Sequence, residues 1–329
     1  MPDHSRDPDP LPGYRGVVGD APTADARQPL ERALQRILWE FRPYLDDIVV
    51  IGGWVPYLYQ RYGGFAGWSG HLSLTAEVDV LVPRELPPRD RPPIPTILES
   101  AGFTPTEATQ QAAVWTNDPE RGEKVEFLVP HVGMYQTLGK VVPIRAQRGM
   151  GAVSLTALDV MQRHTRVLPV LARAPDETQS AVELRVPLLG AYVLNKAATF
   201  QNRRSLAAVP GAGVRTNPKK AKDLLYLRDL MHAGAEVVAA IERDIERILE
   251  QDTEAQDVVD TAANDLDGTT RTASPDQVAV IGEAGAMLVE REPGMSHASA
   301  TANVAGHLTD LASILLDFRS DSPLSESED

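Results

Sequence analysis

The stretch T-A-E-V-D-V-L-V-P, residues 75–83, alternates as a β-strand does, with Val78, Val80 and Val82 on one face and Glu77, Asp79 and Leu81 on the other. Side chains two apart in a strand share a face, so the two carboxylates stand side by side. Adjacent anions repel, and each costs free energy when it leaves water unpaired. The surrounding residues are too apolar for a fully solvated strand face. A divalent cation held over the strand relieves both costs, and that requirement constrains how the rest of the chain is read.

Magnesium, or manganese in its place, takes hard oxygen ligands in an octahedron and shares them with substrate phosphates and water. Glu126 is the candidate third ligand, a lone acid among hydrophobic residues in the strand E-K-V-E-F-L-V-P, residues 123–130. If that strand pairs beside the first, three carboxylates meet at one end of a sheet. Upstream, I-V-V-I-G-G-W-V-P-Y reads as a buried strand, a turn at Gly52 and Gly53, and a helix. Glycine lets a backbone approach a phosphate closely, and a helix N-terminus favours an anion.

Other chemistries are excluded early. The chain has no cysteine, which rules out disulfides, thiolate catalysis and cysteine-based zinc sites. None of the seven histidines has a metal-site spacing. The run A-N-D-L-D-G-T-T fails as a calcium loop, because counting back from Gly268 puts the first ligand position on Ala263. The net charge of −14 is unevenly spread: residues 233–329 hold 5 basic and 21 acidic groups, and residues 1–232 hold 27 and 25. The front two-thirds is therefore free to bind an anion, and the acidic third is expected to lie away from a basic face or to mask it. Between Lys196 and Lys222 lie seven positive charges and no negative one: Lys196, Arg203, Arg204, Arg215, Lys219, Lys220 and Lys222. Such a run suits a phosphate or RNA-backbone clamp across the cleft from the metal, a reading favoured over that of a solvated loop.

The 329 residues leave room for roughly two domains at ~150 residues each. Residues 1–27 read as a disordered Pro/Asp-rich tail without an apolar signal core. No apolar run approaches the ~18 residues that span a bilayer, so a cytoplasmic protein without membrane contact is the expectation. Residues 28–186 carry a helix at 28–45, the strand–turn–helix, a short helix ended by Gly102, and strands near 113–115 and at 123–130. Residues 149–173 are ambiguous. The strand V-E-L-R-V-P then opens a helical domain at 187–319, with a helix from Leu188 to about Asn202 and Pro187 near its first turn. A basic loop at 203–217, helices at 218–232 and 236–250, an irregular polar stretch at 251–277 and one or two helices at 278–319 follow, with an acidic tail at 320–329. The fold class is α+β, a mixed sheet flanked by helices and followed by a helical C-terminal domain.

The elements I-G-G-W, T-A-E-V-D-V-L-V about two dozen residues on, and V-E-F-L-V-P together resemble the nucleotidyltransferase fold of the polymerase-β superfamily. The similar branch is that of the AbiEii-type toxins of abortive-infection and toxin–antitoxin systems, which add a lysine on one helix and a Lys-Asp motif on the next. P-L-L-G-A-Y-V-L-N-K-A-A places that lysine at Lys196, and K-K-A-K-D-L-L-Y-L places the motif at Lys222 and Asp223. The resemblance covers roughly residues 45–232. Three positions depart from it. Glu77 stands where Asp is commoner, the turn is Gly-Gly-Trp where many relatives have Gly-Ser, and Tyr226 stands where a second Asp often follows the motif.

The resemblance implies a magnesium- or manganese-dependent enzyme that transfers a nucleoside monophosphate from an NTP and releases pyrophosphate. Glu77, Asp79 and Glu126 would be the metal ligands, Glu126 serving otherwise as general base. Gly52, Gly53, Trp54 and Lys196 would hold the nucleotide, and Lys196 and Asp223 would complete the catalytic set. Arg203, Arg204, Lys219 and Lys220 would hold the acceptor, an RNA 3′ end such as that of tRNA, or a protein, and a cognate antitoxin is an expected partner. Two other readings stay open at this point: a small-molecule nucleotidyltransferase of the antibiotic-modifying kind, and a nucleotide-binding module with a decayed site.

Overall fold

A computed structural model describes residues 24–320 except 69–71, 73, 89, 107–110, 119–122, 133–137, 201–217 and 293. In chain order, α1 (Ala24–Glu40) and a 3-10 turn (Arg42–Tyr44) lead into β1 (Val49–Ile51), α2 (Trp54–Tyr62) and β2 (Glu77–Leu81). Then come α3 (Ile94–Ser100), β3 (Thr104–Pro105), β4 (Val114–Asp118), β5 (Glu123–Pro130), β6 (Val141–Pro143), β7 (Gly151–Leu155) and α4 (Leu158–Arg163). β8 (Thr165–Arg173) and β9 (Gln179–Pro187) form an antiparallel ribbon. The remainder is helical: α5 (Leu189–Thr199), α6 (Pro218–His232), α7 (Ala235–Gln251), α8 (Ala255–Arg271), α9 (Pro275–Arg291) and α10 (His297–Asp317).

The sheet is mixed. Its order is β1-β2-β5-β4-β3, with β7 beside the far end of β5 and β6 on β7. β2 and β5 run parallel, in a register that sets Asp79 opposite Glu126 and Glu77 opposite Lys124. β1 lies antiparallel to β2 with Ile51 opposite Asp79. Val78, Val80, Val125 and Phe127 turn one way into the core, almost wholly buried. Strand alternation then sends Glu77, Asp79, Lys124 and Glu126 together to the other face. The core continues unbroken from these strands through Leu194, Leu224 and Leu227 to Leu308 and Leu311. α8 packs on α5, and both α9 and α10 pack on α6. The acidic C-terminal third is thus built into the helices that carry Lys196 and Asp223.

Several elements differ from the sequence expectations, each for a physical reason. α1 begins at Ala24, inside the stretch read as a tail, and ends at Glu40. Pro43 cannot continue an α-helix, so the chain tightens into the 3-10 turn. The ambiguous stretch resolves into β7, α4 and β8; β8 tolerates Pro169 because a two-stranded ribbon leaves one edge that needs no donor. Pro187 closes β9 and Leu188 caps α5, so the proline precedes that helix. The stretch read as irregular contains α8. Its buried stripe is Ala255, Val259, Ala262, Ala263, Leu266 and Thr269, at helical spacing but mostly too small to stand out among the aspartates. α9 opens with a capping box in which Ser274 and Gln277 bond each other's backbone N–H. The basic loop at 203–217 lies outside the described residues.

Candidate active site

The carboxylates of Glu77, Asp79 and Glu126 converge because two parallel strands in register place them on one exposed-side face. One oxygen from each lies within 4.8 Å of the others. Opposed oxygens around Mg²⁺ stand about 4.2 Å apart, so small side-chain rotations bring this set onto an octahedral cation. The donors are all hard oxygens, which suits magnesium or manganese and not a soft metal. A fourth charged group shares the face. The Lys124 ammonium is 2.6 Å from Glu77 Oε1 and 4.0 Å from Glu126 Oε2.

Electrostatics divide the two glutamates. Burial, the hydrogen bond with Glu77 and the charge of Asp79 push the Glu126 carboxyl up to about 8, against the pull of Lys124. Burial alone would raise Glu77 as well, but the hydrogen bond from Glu126, the pairing with Lys124 and the charge of Lys219 bring it below the usual range. Near neutral pH the pair therefore shares one proton, carried by Glu126. The linkage sign follows from proton counts. Between the ordinary glutamate value of 4.5 and about 8, the folded chain holds a proton that the unfolded chain has lost. Stability contributed by this group is full below 4.5 and is lost as pH rises through about 8. We expect the metal-free melting temperature to fall across that window by a few degrees more in wild type than in Glu126→Gln. Parallel pH profiles in calorimetry would overturn the assignment of that proton to Glu126.

The glycine turn is shaped by this cluster. Gly52 has φ of +73°, a left-handed conformation, and a Cβ there would run into the Asp79 carboxylate. A Cβ on Gly53 would meet the Tyr226 hydroxyl and the Thr75 methyl. The backbone thus passes directly beside Asp79 and opens the N-terminus of α2. Trp54 follows, buried, with its indole N–H donating to the Glu77 carbonyl at 3.1 Å. Its side chain braces β2. The Thr75 hydroxyl accepts from the Glu77 N–H at 3.2 Å, which fixes the strand's entry.

The helical side supplies the facing charges. Lys196 of α5 donates to Asp223 of α6 at 2.8 Å, a buried pair. Its ammonium lies 5.7 Å from the Tyr192 ring centre and 5.6 Å from that of Tyr226. Tyr226 is buried between the two halves: burial raises its phenol, Lys222 opposes, and Asp223 and Asp79 add to the rise. Lys222 is held protonated above the usual lysine range, chiefly by Tyr226 and, further off, by Asp79 and Glu77, against its own burial. Lys219 is exposed and acts on Glu77, so it stands near the carboxylate cluster rather than apart from it. Lys220 turns elsewhere. Burial raises the Asp265 carboxyl on α8 and the charge of Lys220 opposes, so the acidic third does reach this end of the basic run.

Lys124 and Tyr226 are neighbours that the sequence alone does not mark as site residues, whereas Lys222 stands in both the basic run and the Lys-Asp motif. Arg203 and Arg204 lie outside the described residues. Among the described residues no helix is long and apolar enough to cross a membrane. No curated protein and no solved structure matches the chain. A family model described as Nucleotidyltransferase matches residues 30–247, a span that holds every site residue named above.

Proposed function

The chain belongs to the nucleotidyltransferase family, and we propose that it transfers a nucleoside monophosphate from an NTP to an RNA 3′ end, dependent on Mg²⁺ or Mn²⁺ and releasing pyrophosphate. The observation that carries the reading is the set of three carboxylates on β2 and β5, pressed against the Gly52 turn and facing the lysines of α6. Glu77, Asp79 and Glu126 would hold the metal, which when bound supplies positive charge to the triphosphate. Gly52 and Gly53 let the turn pass against Asp79 and Tyr226, and Lys222 and Lys219 act on the same carboxylates. Burial and its anionic neighbours raise the Glu126 carboxyl to about 8 in the metal-free chain, so it would have to lose its proton, as a bound cation favours, before it could ligate the metal or accept a proton from an attacking hydroxyl. Lys196, paired with Asp223, ties α5 to α6 beside Tyr226.

One further feature favours a polyanionic acceptor. Lys219, Lys220 and Lys222 occupy the first turns of α6, which has no acid in its first turn. Cations at a helix N-terminus oppose the helix dipole at a cost of a few tenths of a kcal/mol each. These lysines do not serve the helix, and they suit phosphates, with Arg203 and Arg204 nearby in the sequence. Transfer to a tRNA end would arrest growth, which is the reading of the AbiEii-type toxins the chain resembles, and such a cytoplasmic protein would be held by an antitoxin.

The test follows the label. With NTP carrying a radioactive α-phosphate, the label is expected in RNA 3′ ends. Arg203→Glu, Arg204→Glu and Lys220→Glu together should cut that labelling by about tenfold or more and flatten the salt dependence of RNA affinity, with a slope change of ~0.7 per lost phosphate contact. Lys219 is left out because reversal beside Glu77 would disturb NTP binding itself. Label recovered in protein or in a small molecule, or full RNA labelling by the reversed protein, would sink the RNA assignment.

A further inference from the structure

We infer that Lys124 is a resident counterion that competes with the divalent cation for the carboxylate cluster and is displaced when the cation enters. The inference rests on the metal-site reading above. Lys124 and Glu126 are two apart on β5, so they share a face, and the register with β2 puts Lys124 directly beside Glu77. Its ammonium donates to Glu77 Oε1 at 2.6 Å and stands 4.0 Å from Glu126 Oε2. The Glu77 backbone is fixed on both sides, by the Trp54 indole at its carbonyl and the Thr75 hydroxyl at its N–H. Only side-chain torsions are left to release the carboxylate.

The ammonium beside the three carboxyl groups limits the repulsion that would splay them without neutralising the set. The arrangement keeps the cluster assembled in the metal-free chain. It also means that a cation drawing on the Glu77 carboxylate competes with a close ion pair, so the free protein takes up metal weakly. The freed ammonium remains at the cleft, where triphosphate oxygens are the partners that offset its loss. Metal and nucleotide then bind with positive coupling, each improving the affinity for the other.

The experiment measures Mn²⁺ binding to the full chain without nucleotide, by the electron paramagnetic resonance signal of free Mn²⁺. Lys124→Met should bind about tenfold or more tightly than wild type, because a neutral chain of similar length leaves Glu77 uncommitted. Lys124→Arg should stay as weak as wild type. Equal affinity in Lys124→Met and wild type, with binding lost in Asp79→Asn, overturns the role of Lys124 and leaves the metal site standing. No binding in any of these proteins overturns both. A second measurement needs no variant. Mn²⁺ should raise the rate of amine acylation at Lys124 several-fold in the wild-type protein, read by mass spectrometry, and an unchanged or slower rate overturns the inference.

Discussion

An Asp79→Asn protein is expected to fold normally and to lose metal-dependent NTP turnover by about a thousandfold or more, a loss of several kcal/mol at about 1.4 kcal/mol per decade. Asparagine fills the same space, so the close fit of Gly52 against this side chain is kept. What changes is one charge and one oxygen at the point where β1, β2 and β5 meet. Asp79 lies opposite both Ile51 and Glu126. Its charge also acts on Glu126 and Tyr226, so the substitution alters the whole electrostatic balance and not a single ligand. Because repulsion within the cluster is relieved, the metal-free melting temperature should stay level or rise by a degree or two. Mg²⁺ with NTP should stabilise wild type by binding the folded form, and that gain should vanish in the variant. Pyrophosphate release and calorimetry read the two effects separately. Wild-type turnover in Asp79→Asn would remove β2 from the active site. A wild-type melting curve that no NTP moves in the presence of Mg²⁺ would instead support a decayed nucleotide site.

The sheet half of the site is legible in the sequence because strand alternation is a rigid code. Glu77 and Asp79 must share a face, and so must Lys124 and Glu126 once residues 123–130 are read as a strand. Lys124 nonetheless does not stand out, since a lysine on a polar strand face ordinarily belongs to solvent. Only the register with Glu77 shows otherwise. The helical half is less legible. Lys219, Lys220 and Lys222 are near neighbours in sequence, yet one acts on Glu77, one on Asp265 and one on Tyr226. Successive helix positions point about 100° apart, so a charge run does not say which of its members face a cleft. α8 is hidden for a different reason: alanine carries its buried stripe, and alanine signals burial weakly beside aspartate. The ion network that ties α6 to α9 and α10 is not legible at all, because it depends on how three helices are placed in space.

Removing the centre of that network is the second large effect expected. Asp229 of α6 accepts from Arg291 through both oxygens, at 2.8 Å each, and from Arg228 at 3.3 Å. Arg228 donates onward to Glu292 at 3.3 Å and to Asn303 at 2.7 Å. The side chains of Arg228, Asp229 and Arg291 are each 1% exposed. Asp229→Ala leaves two buried guanidinium groups short of their shared carboxylate. Breaking a buried pair from one side costs about 3–5 kcal/mol, because the remaining charge stays desolvated. A melting temperature lower by about 10 °C is the expected result. Replacing both partners, Asp229→Leu with Arg291→Met, removes a charge from each side, and should recover at least half of the loss. The site would feel the single change as well. Asp229 lies six residues beyond Asp223 on the same helix, about 9 Å along its axis, so a loosened α6 carries Lys222, Asp223 and Tyr226 with it. Transfer should therefore fall even at temperatures where Asp229→Ala is folded, with Mn²⁺ affinity of the β2–β5 carboxylates little changed. The same contacts argue against treating the acidic third as removable: deleting residues 251–329 takes away Arg291, Glu292 and Asn303 and uncovers α5 and α6. Stability of Asp229→Ala within about 1 kcal/mol of wild type would mean that the network adds little and that packing alone holds α6 in place.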